Sequence, residues 1–311
     1  MAKIIGPGSL IVDVTGFAPH LPVAGETTKG STLRFGPGGK GSNQMTAAHR
    51  AGAEVKIIGI RGNDVLGQIL KKHYESEGMS EEYITVDSAA ETGSALIEID
   101  ESDAQNRIIV IFAANEQVGE ENILAAEKDF MDCDVVLTQL ETTIEAVEKS
   151  KELAQKYGKP FILNPAPYVP VSQELFCGVD YVTPNETEAE QFTGVKIEGE
   201  ESCRVAAQKF LDMGVKNVIL TLGVKGAYYT DGKREIIVPA LKVKAVETTG
   251  AGDAFNGGLV AALAEKLPID IALKFATCTA AISVTRLGSS PSMPYRNEIL
   301  SLLQKEFGVT L

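Results

Sequence analysis

Short apolar segments alternate with longer amphipathic ones along most of this 311-residue chain. Residues 3–7 and 55–60 have the length of buried strands, whereas residues 41–51 and 65–77 have the periodicity of helices. The remaining predicted strands are 135–140, 161–164, 181–184 and 217–221, and the remaining predicted helices are 144–157, 186–192, 202–213, 252–265 and 269–284. This alternation predicts an α/β fold with a mostly parallel sheet and helices on both faces, whose ligands bind beyond the carboxyl ends of the strands.

Two segments interrupt the alternation and predict a second, smaller sheet. Residues 15–37 are rich in Gly, Pro and Thr, whereas residues 92–112 alternate like exposed strands, with Ala95, Ile97 and Ile99 on one side. We therefore expect one domain, residues 1–311, that carries a small β-sheet lid built from about residues 14–37 and 92–112. A lid at the ligand edge of the main sheet would close over a bound substrate.

The charge and the cysteines limit the partners of the chain. Its formal net charge is −13, which argues against nucleic acid or an anionic membrane as a partner. Cys133, Cys177, Cys203 and Cys278 lie far apart without metal-ligand spacing, so we expect reduced thiols in a cytoplasmic protein. We expect no signal peptide, because residues 1–3 lead directly into a short apolar strand, and no membrane span, because the sequence has no apolar run of 18 residues.

Residues 248–258 combine a glycine turn, a helix start and a carboxylate. Gly250, Ala251 and Gly252 allow a ligand to approach the backbone closely, and the free N–H groups of the helix that follows favour an anion such as a phosphate. Asp253 lies at the same place. It is either the N-cap of this helix or a general base that takes a proton from a hydroxyl attacking a phosphoryl group. The motif by itself leaves both interpretations open.

A second glycine-rich motif covers residues 36–44. Gly36, Gly38 and Gly41 fit the spacing of a dinucleotide-binding turn, but the motif does not directly follow the first strand, and it lacks the spacing of a phosphate-binding P-loop. It either delivers Lys40 and Asn43 to a polar ligand or forms a tight turn with a capping side chain.

Three further positions lie where predicted strands end. Asn185 and Glu188, three residues apart on one helix face, could hold the waters of a Mg²⁺ ion above phosphates or simply cap an exposed helix. Glu141 follows the strand predicted at 135–140 and would reach the ligand edge. The turn through Gly223 and Gly226 could line a nucleotide or form a plain hairpin.

Taken in order, these motifs resemble those of the ribokinase family of sugar kinases, the PfkB type, over nearly the whole chain. The resemblance rests on residues 38–44 (GGKGSNQ), 164–167 (NPAP), 183–190 (TPNETEAE), 221–223 (TLG) and 249–253 (TGAGD). It implies a ribokinase-like α/β fold and an ATP-dependent transfer to the 5-hydroxymethyl group of a pentose, with D-ribose as the first candidate.

The resemblance also implies roles for the matching residues. Asp253 would be the catalytic base, and the backbone of Gly250, Ala251 and Gly252 would form the anion hole. The residues implied to hold the sugar are Asp13, Gly39, Lys40, Gly41, Asn43, Glu141 and Asp253. The residues implied to hold ATP and Mg²⁺ are Asn185, Glu188, Thr221, Gly223, Val224, Lys225, Gly226, Gly252 and Thr277. The lid is implied to pair with the lid of a second subunit and so to form a homodimer.

A monovalent cation site is implied as well, with one departure from the family pattern. Its residues are Glu247, Thr249, Ser283, Arg286, Gly288 and Ser292, which would act mainly through backbone oxygens. The family usually has Asp at the position of Glu247, so the carboxylate here is one methylene longer. We expect activation by K⁺ or another monovalent cation.

Ile11 is a second departure, because the family usually has Asn two residues before the sugar-binding Asp13. A buried hydroxyl facing Ile11 would lose a partner at a cost of roughly 1–3 kcal/mol. This favours a sugar without that hydroxyl, such as 2-deoxyribose, unless Ile11 simply packs beneath the sugar.

Three other functions remain as alternatives. A nucleoside kinase is disfavoured because the segments near the sugar site offer few aromatic side chains, namely Phe17, Phe35 and Phe112. A non-catalytic sugar-binding regulator would not need Asp253. A Rossmann-type dehydrogenase is disfavoured by the position of the glycine motif.

Overall fold

A computed structural model describes residues 1–103 and 105–311, so Ala104, within the predicted lid segment 92–112, lies outside the described residues. The strands are β1 Lys3–Pro7, β2 Ile11–Ala18, β3 Thr32–Gly38, β4 Glu54–Gly62, β5 Ile84–Asp87, β6 Gly93–Asp100, β7 Asn106–Ile111, β8 Val135–Thr138, β9 Phe161–Leu163, β10 Tyr181–Val182, β11 Asn217–Thr221, β12 Ala227–Thr230 and β13 Glu235–Val238. The α-helices are α1 Lys40–Arg50, α2 Val65–Glu77, α3 Glu120–Ala125, α4 Glu127–Asp132, α5 Ile144–Lys156, α6 Glu186–Thr193, α7 Glu200–Asp212, α8 Ala251–Ala264, α9 Ile269–Ser283 and α10 Arg296–Phe307.

The main sheet has nine strands in the order β13-β12-β11-β10-β9-β8-β1-β4-β5. Strands β5, β4, β1, β8, β9, β10 and β11 pair in parallel, whereas β12 and β13 pair antiparallel at one edge. Neighbouring residues of β1 face opposite sides: Ile4 lies in one hydrophobic core and Ile5 in the other. Each core contains helices, so the predicted α/β fold with helices on both faces is confirmed.

The second sheet, which we call the lid, has four strands in the order β3-β2-β6-β7. Strands β2 and β6 pair in parallel in its centre, and β3 and β7 pair antiparallel on its edges. The two separated parts of the chain therefore meet in one sheet. Strand β2 begins at Ile11, a few residues before the predicted lid segment begins.

Helix α8 packs unusually closely against its neighbours. A Cβ atom on Gly257 would overlap Ala47 of α1 and lie 2.5 Å from the carbonyl oxygen of Gln44. A Cβ atom on Gly258 would lie 2.5 Å from the hydroxyl of Thr279 on α9. Glycine at these two positions thus brings α1 and α9 against α8, which is buried along nearly its whole length.

Several elements were not predicted. Helices α3, α4 and α10 and the edge strands β5 and β13 are present in addition to the predicted elements. No helix within residues 1–103 and 105–311 combines the length and the hydropathy that a membrane crossing requires.

Candidate active site

The start of α8 offers an open space with free backbone donors. Gly250 precedes the helix with a φ of 78°, a left-handed conformation that favours glycine. The N–H group of Ala251 donates to the carbonyl of Thr248 at 3.2 Å. Among the described residues, the N–H groups of Gly252 and Asp253 find no acceptor, and a Cβ atom on Gly252 would meet nothing within 4 Å. An anion can therefore approach this helix start.

The carboxylate of Asp253 does not cap the helix. Its oxygens accept hydrogen bonds from Asn43 Nδ2 and Gln44 Nε2, each at 2.9 Å, and Gly250 takes the N-cap position. The capping interpretation of Asp253 is therefore wrong. The side chain is 6% exposed, so its orientation is set by the two amides of α1.

A chain of buried amides holds those donors in place. Gln44 Oε1 accepts from Gln139 Nε2 at 2.8 Å, and Gln44 Nε2 also donates to Asn164 Oδ1 at 2.9 Å. Asn164 Nδ2 in turn donates to the carbonyl of Thr183 at 2.9 Å. Every member of this chain has partners, which rigidifies the carboxylate it supports. Sequence reasoning assigned no role to Gln44, Gln139 or Asn164, although the first and the last lie within the quoted motifs.

Glu141 and Lys40 lie on the same side of the site. Glu141 Oε2 accepts from the Ser9 hydroxyl at 2.6 Å and from the backbone N–H of Lys40 at 2.8 Å. Burial raises the pKa of Glu141 and outweighs the opposing attraction of the Lys40 ammonium. For Lys40 itself, burial lowers the pKa, but the carboxylates of Asp253, Glu141 and Glu188 outweigh it, so the pKa is raised. These charged groups therefore share one electrostatic environment.

The glycines of this turn make close approaches possible. A Cβ atom on Gly41 would overlap Gly8, and one on Gly39, whose φ is 86°, would lie 2.9 Å from the Ser9 carbonyl oxygen. A Cβ atom on Gly38 would overlap the carboxylate of Asp13. The turn thus fits tightly against the segment that leads from β1 into β2.

Asp13 faces the site from the lid. It accepts a hydrogen bond from Ser289 Oγ at 2.8 Å. Burial raises its pKa to about 6, and the negative charges of Glu141, Asp253 and Glu247 act in the same direction. Ser290 Oγ donates to Asn43 Oδ1 at 2.6 Å. Both serines were missed from the sequence, because their partners lie more than two hundred residues earlier in the chain.

Asn185 and Glu188 form the capping box of α6. Asn185 Oδ1 accepts from the backbone N–H of Glu188 at 2.8 Å, and Glu188 Oε2 accepts from the backbone N–H of Asn185 at 2.8 Å. The two side chains therefore cap the start of α6. Glu188 is 7% exposed, and burial raises its pKa. The positive charge of Lys40 opposes this rise in pKa and the negative charge of Asp253 adds to it, so Glu188 belongs to the same electrostatic environment.

The predicted nucleotide loop is a hairpin next to this helix. Thr221 forms a β-bridge with Asn185, and the chain turns back through the short 3₁₀ helix Gly223–Lys225 and Gly226 into β12. Gly223 and Gly226 have φ values of 52° and 104°, which explains the glycines. The turn is thus a hairpin that leads into β12.

Two neighbouring side chains of the hairpin have different environments. Val224 is 95% exposed, and Lys225 forms an ion pair with Glu186 at 3.1 Å. Thr277 lies apart on α9, where its hydroxyl donates to the carbonyl of Leu273 at 2.8 Å. No hydrogen bond among the described residues joins Thr277 to the hairpin.

The residues predicted for a monovalent cation lie on two adjacent segments. Glu247 Oε2 accepts from the backbone N–H of Gly288 at 2.9 Å, and the N–H of Glu247 donates to the carbonyl of Val284 at 3.2 Å. Glu247 and Thr249 are on one segment, whereas Ser283, Arg286, Gly288 and Ser292 are on the other.

The side chains of the second segment are already engaged. Arg286 pairs with Glu298, and the hydroxyl of Ser292 donates to the carbonyl of Ser289 at 2.7 Å. The backbone oxygens and Glu247 are thus the groups available to an alkali cation. No cluster of three His, Cys, Asp or Glu side chains suited to a metal ion occurs in the described parts of the chain.

Ile11 lies at the root of the lid and is 2% exposed. It packs with Ala95 and Ile97 of β6, and Ile99 and Phe112 pack against this cluster. The side chain therefore lies two residues from Asp13 without any polar group to offer.

Comparison with known proteins gives a consistent result along the chain. Residues 1–296 match the pfkB family carbohydrate kinases. The chain is 39% identical over 297 residues to a ribokinase of Haemophilus influenzae, covering 96% of this chain and 97% of that protein. It is 35% identical over 299 residues to a deoxyribokinase of Salmonella typhimurium, covering 95% and 97%.

The fold agrees with a solved structure. The ribokinase of Arabidopsis thaliana complexed with ribose and ATP superposes with a TM-score of 0.88 at 29% identity, covering 98% of this chain and 99% of that one. The main sheet, the helices and the lid are therefore arranged as in that enzyme.

Proposed function

The chain belongs to the pfkB family of carbohydrate kinases and is an ATP-dependent sugar kinase, and from this premise we propose that it phosphorylates the 5-hydroxymethyl group of a pentose, with D-ribose as the first candidate. The observation that carries the proposal is the geometry at the start of α8. There a buried carboxylate, held by two amides, lies beside free backbone donors and open space.

In the proposed reaction, Asp253 takes the proton of the sugar hydroxyl as its oxygen attacks the γ-phosphorus of ATP. The bond between the γ-phosphorus and the bridging oxygen breaks, and ADP leaves. Gly250, Ala251 and Gly252 form the anion hole, in which the free N–H groups of Gly252 and Asp253 face the transferring phosphoryl group. Positioning and charge stabilisation provide most of the acceleration.

The sugar is proposed to bind between the lid and the main sheet. The residues that hold it are Asp13, Gly39, Lys40, Gly41, Asn43 and Glu141. Asp13 and Glu141 accept hydrogen bonds from sugar hydroxyls, and Asn43 can reach the substrate while it supports Asp253.

ATP is proposed to lie along the hairpin after β11 and the start of α6. The lining residues are Thr221, Gly223, Val224, Lys225, Gly226, Gly252 and Thr277. Asn185 and Glu188 hold the waters of Mg²⁺, since their oxygen atoms are the ligand type that Mg²⁺ prefers. When bound there, Mg²⁺ would supply positive charge to the phosphates, which matters in a chain with a net charge of −13.

Potassium is proposed to bind near the anion hole. The carboxylate of Glu247 and the backbone oxygens of the segments around Thr249 and Gly288 form an all-oxygen set that suits an alkali cation. Ser289 Cα lies 3.4 Å from the position of a Cβ atom on Gly250, so this loop touches the helix start. Activity that is unchanged when K⁺ is replaced by a bulky organic cation would contradict this site.

The assembly is proposed to be a cytoplasmic homodimer formed through the lid. All four cysteines are free, as expected for a reducing compartment. Apolar side chains cover one face of the lid, and those more than 40% exposed on that face include Leu33, Phe35, Leu96 and Ile109. A surface of this kind is typical of an interaction site.

The first experiment measures ATP consumption by the purified protein with a panel of free sugars and nucleosides in the presence of Mg²⁺ and K⁺. We expect turnover with ribose. No turnover with any pentose would contradict the proposed substrate and leave the fold and the family unchanged.

A second candidate substrate is 2-deoxyribose, and the environment of Ile11 favours it. This buried apolar side chain next to Asp13 cannot pair with a sugar hydroxyl, and a deoxyribokinase is among the relatives. The ratio of kcat/KM for ribose and 2-deoxyribose decides between them. If Ile11 selects the deoxy sugar, Ile11→Asn should move this ratio towards ribose by about 5- to 150-fold, as 1–3 kcal/mol implies.

A further inference from the structure

Asn115 is a buried amide to which the site described above gives no role. It lies in the short 3₁₀ helix Ala113–Gln117, directly after the last lid strand, and is fully buried. Its Oδ1 atom accepts from the backbone N–H of Leu10 at 2.7 Å, and its Nδ2 atom donates to the carbonyl of Leu10 at 3.0 Å. A side-chain amide carries the same donor and acceptor as a peptide group, so Asn115 pairs with Leu10 as a neighbouring strand would.

The same amide reaches the other lid strands. Asn115 Nδ2 also donates to the carbonyl of Phe112, at the end of β7, at 2.8 Å. A Cβ atom on Gly93, the first residue of β6, would overlap Asn115 Nδ2. One side chain therefore contacts the points at which β2, β6 and β7 leave the main body of the protein. Because Gly93 lacks a side chain, the amide of Asn115 can pack directly against its backbone.

The segment that Asn115 holds leads directly to the proposed sugar site. Leu10 lies between Ser9, whose hydroxyl donates to Glu141, and Ile11, which begins β2. Asp13 follows two residues later. A shift at Leu10 would therefore move Asp13 on the lid relative to Glu141 on the main sheet.

We propose that Asn115 is a positioning residue that fixes the roots of the three lid strands and thereby sets the distance between Asp13 and Glu141 across the sugar site. The inference rests on the proposed sugar site. It assigns Asn115 an effect on sugar binding and on the coupling of ATP use to sugar phosphorylation, because a poorly seated lid admits water to the phosphoryl group.

Backbone geometry next to Asn115 agrees with a fixed point. Ala113 has a φ of 47°, a left-handed conformation that is unfavourable for a residue with a side chain. Such a conformation persists where surrounding contacts hold it, and the N–H of Ala114 donates to the carbonyl of Glu91 at 3.1 Å. The segment that follows β7 is thus fixed by the side chain of Asn115 and by the backbone hydrogen bond of Ala114.

A second clamp serves only one strand. Asp64 accepts from the hydroxyl of Thr92 at 2.7 Å and from its backbone N–H at 2.8 Å, directly before β6. Because Asp64 is also the N-cap of α2, its replacement would destabilise that helix as well. Asn115 is therefore the cleaner position to test.

The test replaces Asn115 by Asp, which keeps the acceptor for Leu10 but removes the donor to two carbonyls. The matched control is Asn217→Asp, because Asn217 also donates to a carbonyl, that of Asp180 at 2.8 Å, and accepts from Tyr229 at 2.7 Å, at the far end of β11. For both variants we would measure the KM values for sugar and for ATP, kcat, and the ATP consumed per sugar phosphate formed.

For Asn115→Asp we expect a sugar KM raised by about tenfold or more, as the loss of about 1.4 kcal/mol implies, with the KM for ATP within about twofold of the wild type. The ATP consumed per sugar phosphate should rise. Hydrogen exchange should accelerate in β2, β6 and β7 more than in β1 and β8. Equal changes in both KM values, a pattern matching that of Asn217→Asp, or uniformly faster exchange would overturn the proposal.

A double-mutant cycle provides a second test in case Asn115→Asp does not fold. Gly93→Ala forces a Cβ atom onto the amide of Asn115, so alone it should raise the sugar KM. In the background of Asn115→Ala the overlap with the amide is removed while the approach to the Leu10 carbonyl oxygen, at 2.9 Å, remains, so the added effect of Gly93→Ala should be smaller. An equal effect in both backgrounds contradicts the proposal. If the wild-type protein phosphorylates no pentose, the proposed function fails, whereas hydrogen exchange in the lid strands still decides the role of Asn115.

Discussion

Asp253 is the residue whose chemistry the geometry defines most narrowly. Its two oxygens are each fixed by an amide donor, so the carboxylate can face an incoming hydroxyl without further rearrangement. A carboxylate used only for capping would instead bond to the helix amides. The structure therefore fixes the orientation of the Asp253 carboxylate as well as its position.

Replacing Asp253 by Asn should remove the base while leaving sugar binding largely intact. We expect kcat to fall by at least about 10²–10⁴-fold, the usual contribution of a general base. Steady-state kinetics and calorimetric titration with the sugar would measure the two effects separately. The control is Asp270→Asn, in the first turn of the neighbouring helix α9, which should leave kcat unchanged. A near-normal kcat for Asp253→Asn would remove it from the mechanism.

Asp13 gives the sugar site a dependence on pH. Its pKa is raised to about 6 in the folded protein, so its ionised fraction falls as the pH falls through that value. The ionised form accepts hydrogen bonds from hydroxyls, so kcat/KM for the sugar should decrease about tenfold per unit below pH 6. Ser289→Ala removes a hydrogen bond that lowers this pKa and should move the inflection to higher pH. An inflection that stays in place in that variant would belong to another group.

Among individual residues, the sequence predicted those candidate site residues that lie in or near recognisable motifs. Asp253, Asn43, Lys40, Glu141 and Asp13 were all predicted, and the structure brings them around one space. Gln44 and the two serines after Gly288 act through partners that are remote in sequence. No local sequence pattern predicts such long-range hydrogen bonds, because they form only when the fold brings the separate segments together.

At the scale of elements, helices with strong end signals were predicted best. The prediction for α2 matches both of its ends, since Asp64 caps the first turn and Gly78, with a φ of 68°, ends the last. Helices α3 and α4 are only six residues each, with a break at Ala126 between them, so neither shows a full periodic pattern. Helix α10 begins at Arg296, and its N-cap is Tyr295, which is not a usual capping residue.

The close contact of α8 with α1 has a measurable consequence. Gly257→Ala would force the helices apart, which should lower the free energy of unfolding by about 1–3 kcal/mol. Because α1 carries both amides that hold Asp253, we also expect kcat to fall by up to about 10²-fold. Chemical denaturation and steady-state kinetics measure the two effects.

The matched control for this variant is Gly199→Ala, where a Cβ atom would meet nothing within 4 Å. That variant should lose little stability and no activity. Reduced stability of Gly257→Ala with a full kcat would show that the site does not depend on the spacing of the two helices.

At the scale of the whole molecule, the alternation of strands and helices predicted the fold class but not the strand order. Strand β1 lies between β4 and β8, although the lid strands β2 and β3 separate it from β4 in sequence and β6 and β7 follow before β8. Such an arrangement follows from how whole faces pack, and periodicity within a segment carries no information about it. The lid was predicted as two segments, because residues 92–112 alternate like exposed strands and residues 15–37, rich in Gly, Pro and Thr, lack helical periodicity.

The proposed dimer can be tested through the lid surface. We expect light scattering to give about twice the chain mass of 33.1 kDa for the wild-type protein. Ile109→Lys places a charge at a side chain that is 63% exposed in the single chain and should shift the mass towards that of one chain. The control Met131→Lys, at a 57% exposed position on α4, should stay dimeric. A single-chain mass for the wild-type protein would contradict the dimer.

The two serines that close the site have a consequence for how the protein is made. Ser289 holds Asp13 across 276 residues of sequence, and Ser290 holds Asn43 across 247. During translation, a nascent chain therefore lacks these two partners of its sugar-binding residues until the segment just before α10 is synthesised. A fragment that ends between Asp253 and Ser289 would contain the base and the phosphate-binding turn but no ordered sugar site. Such incomplete products of translation should therefore hydrolyse or transfer little ATP.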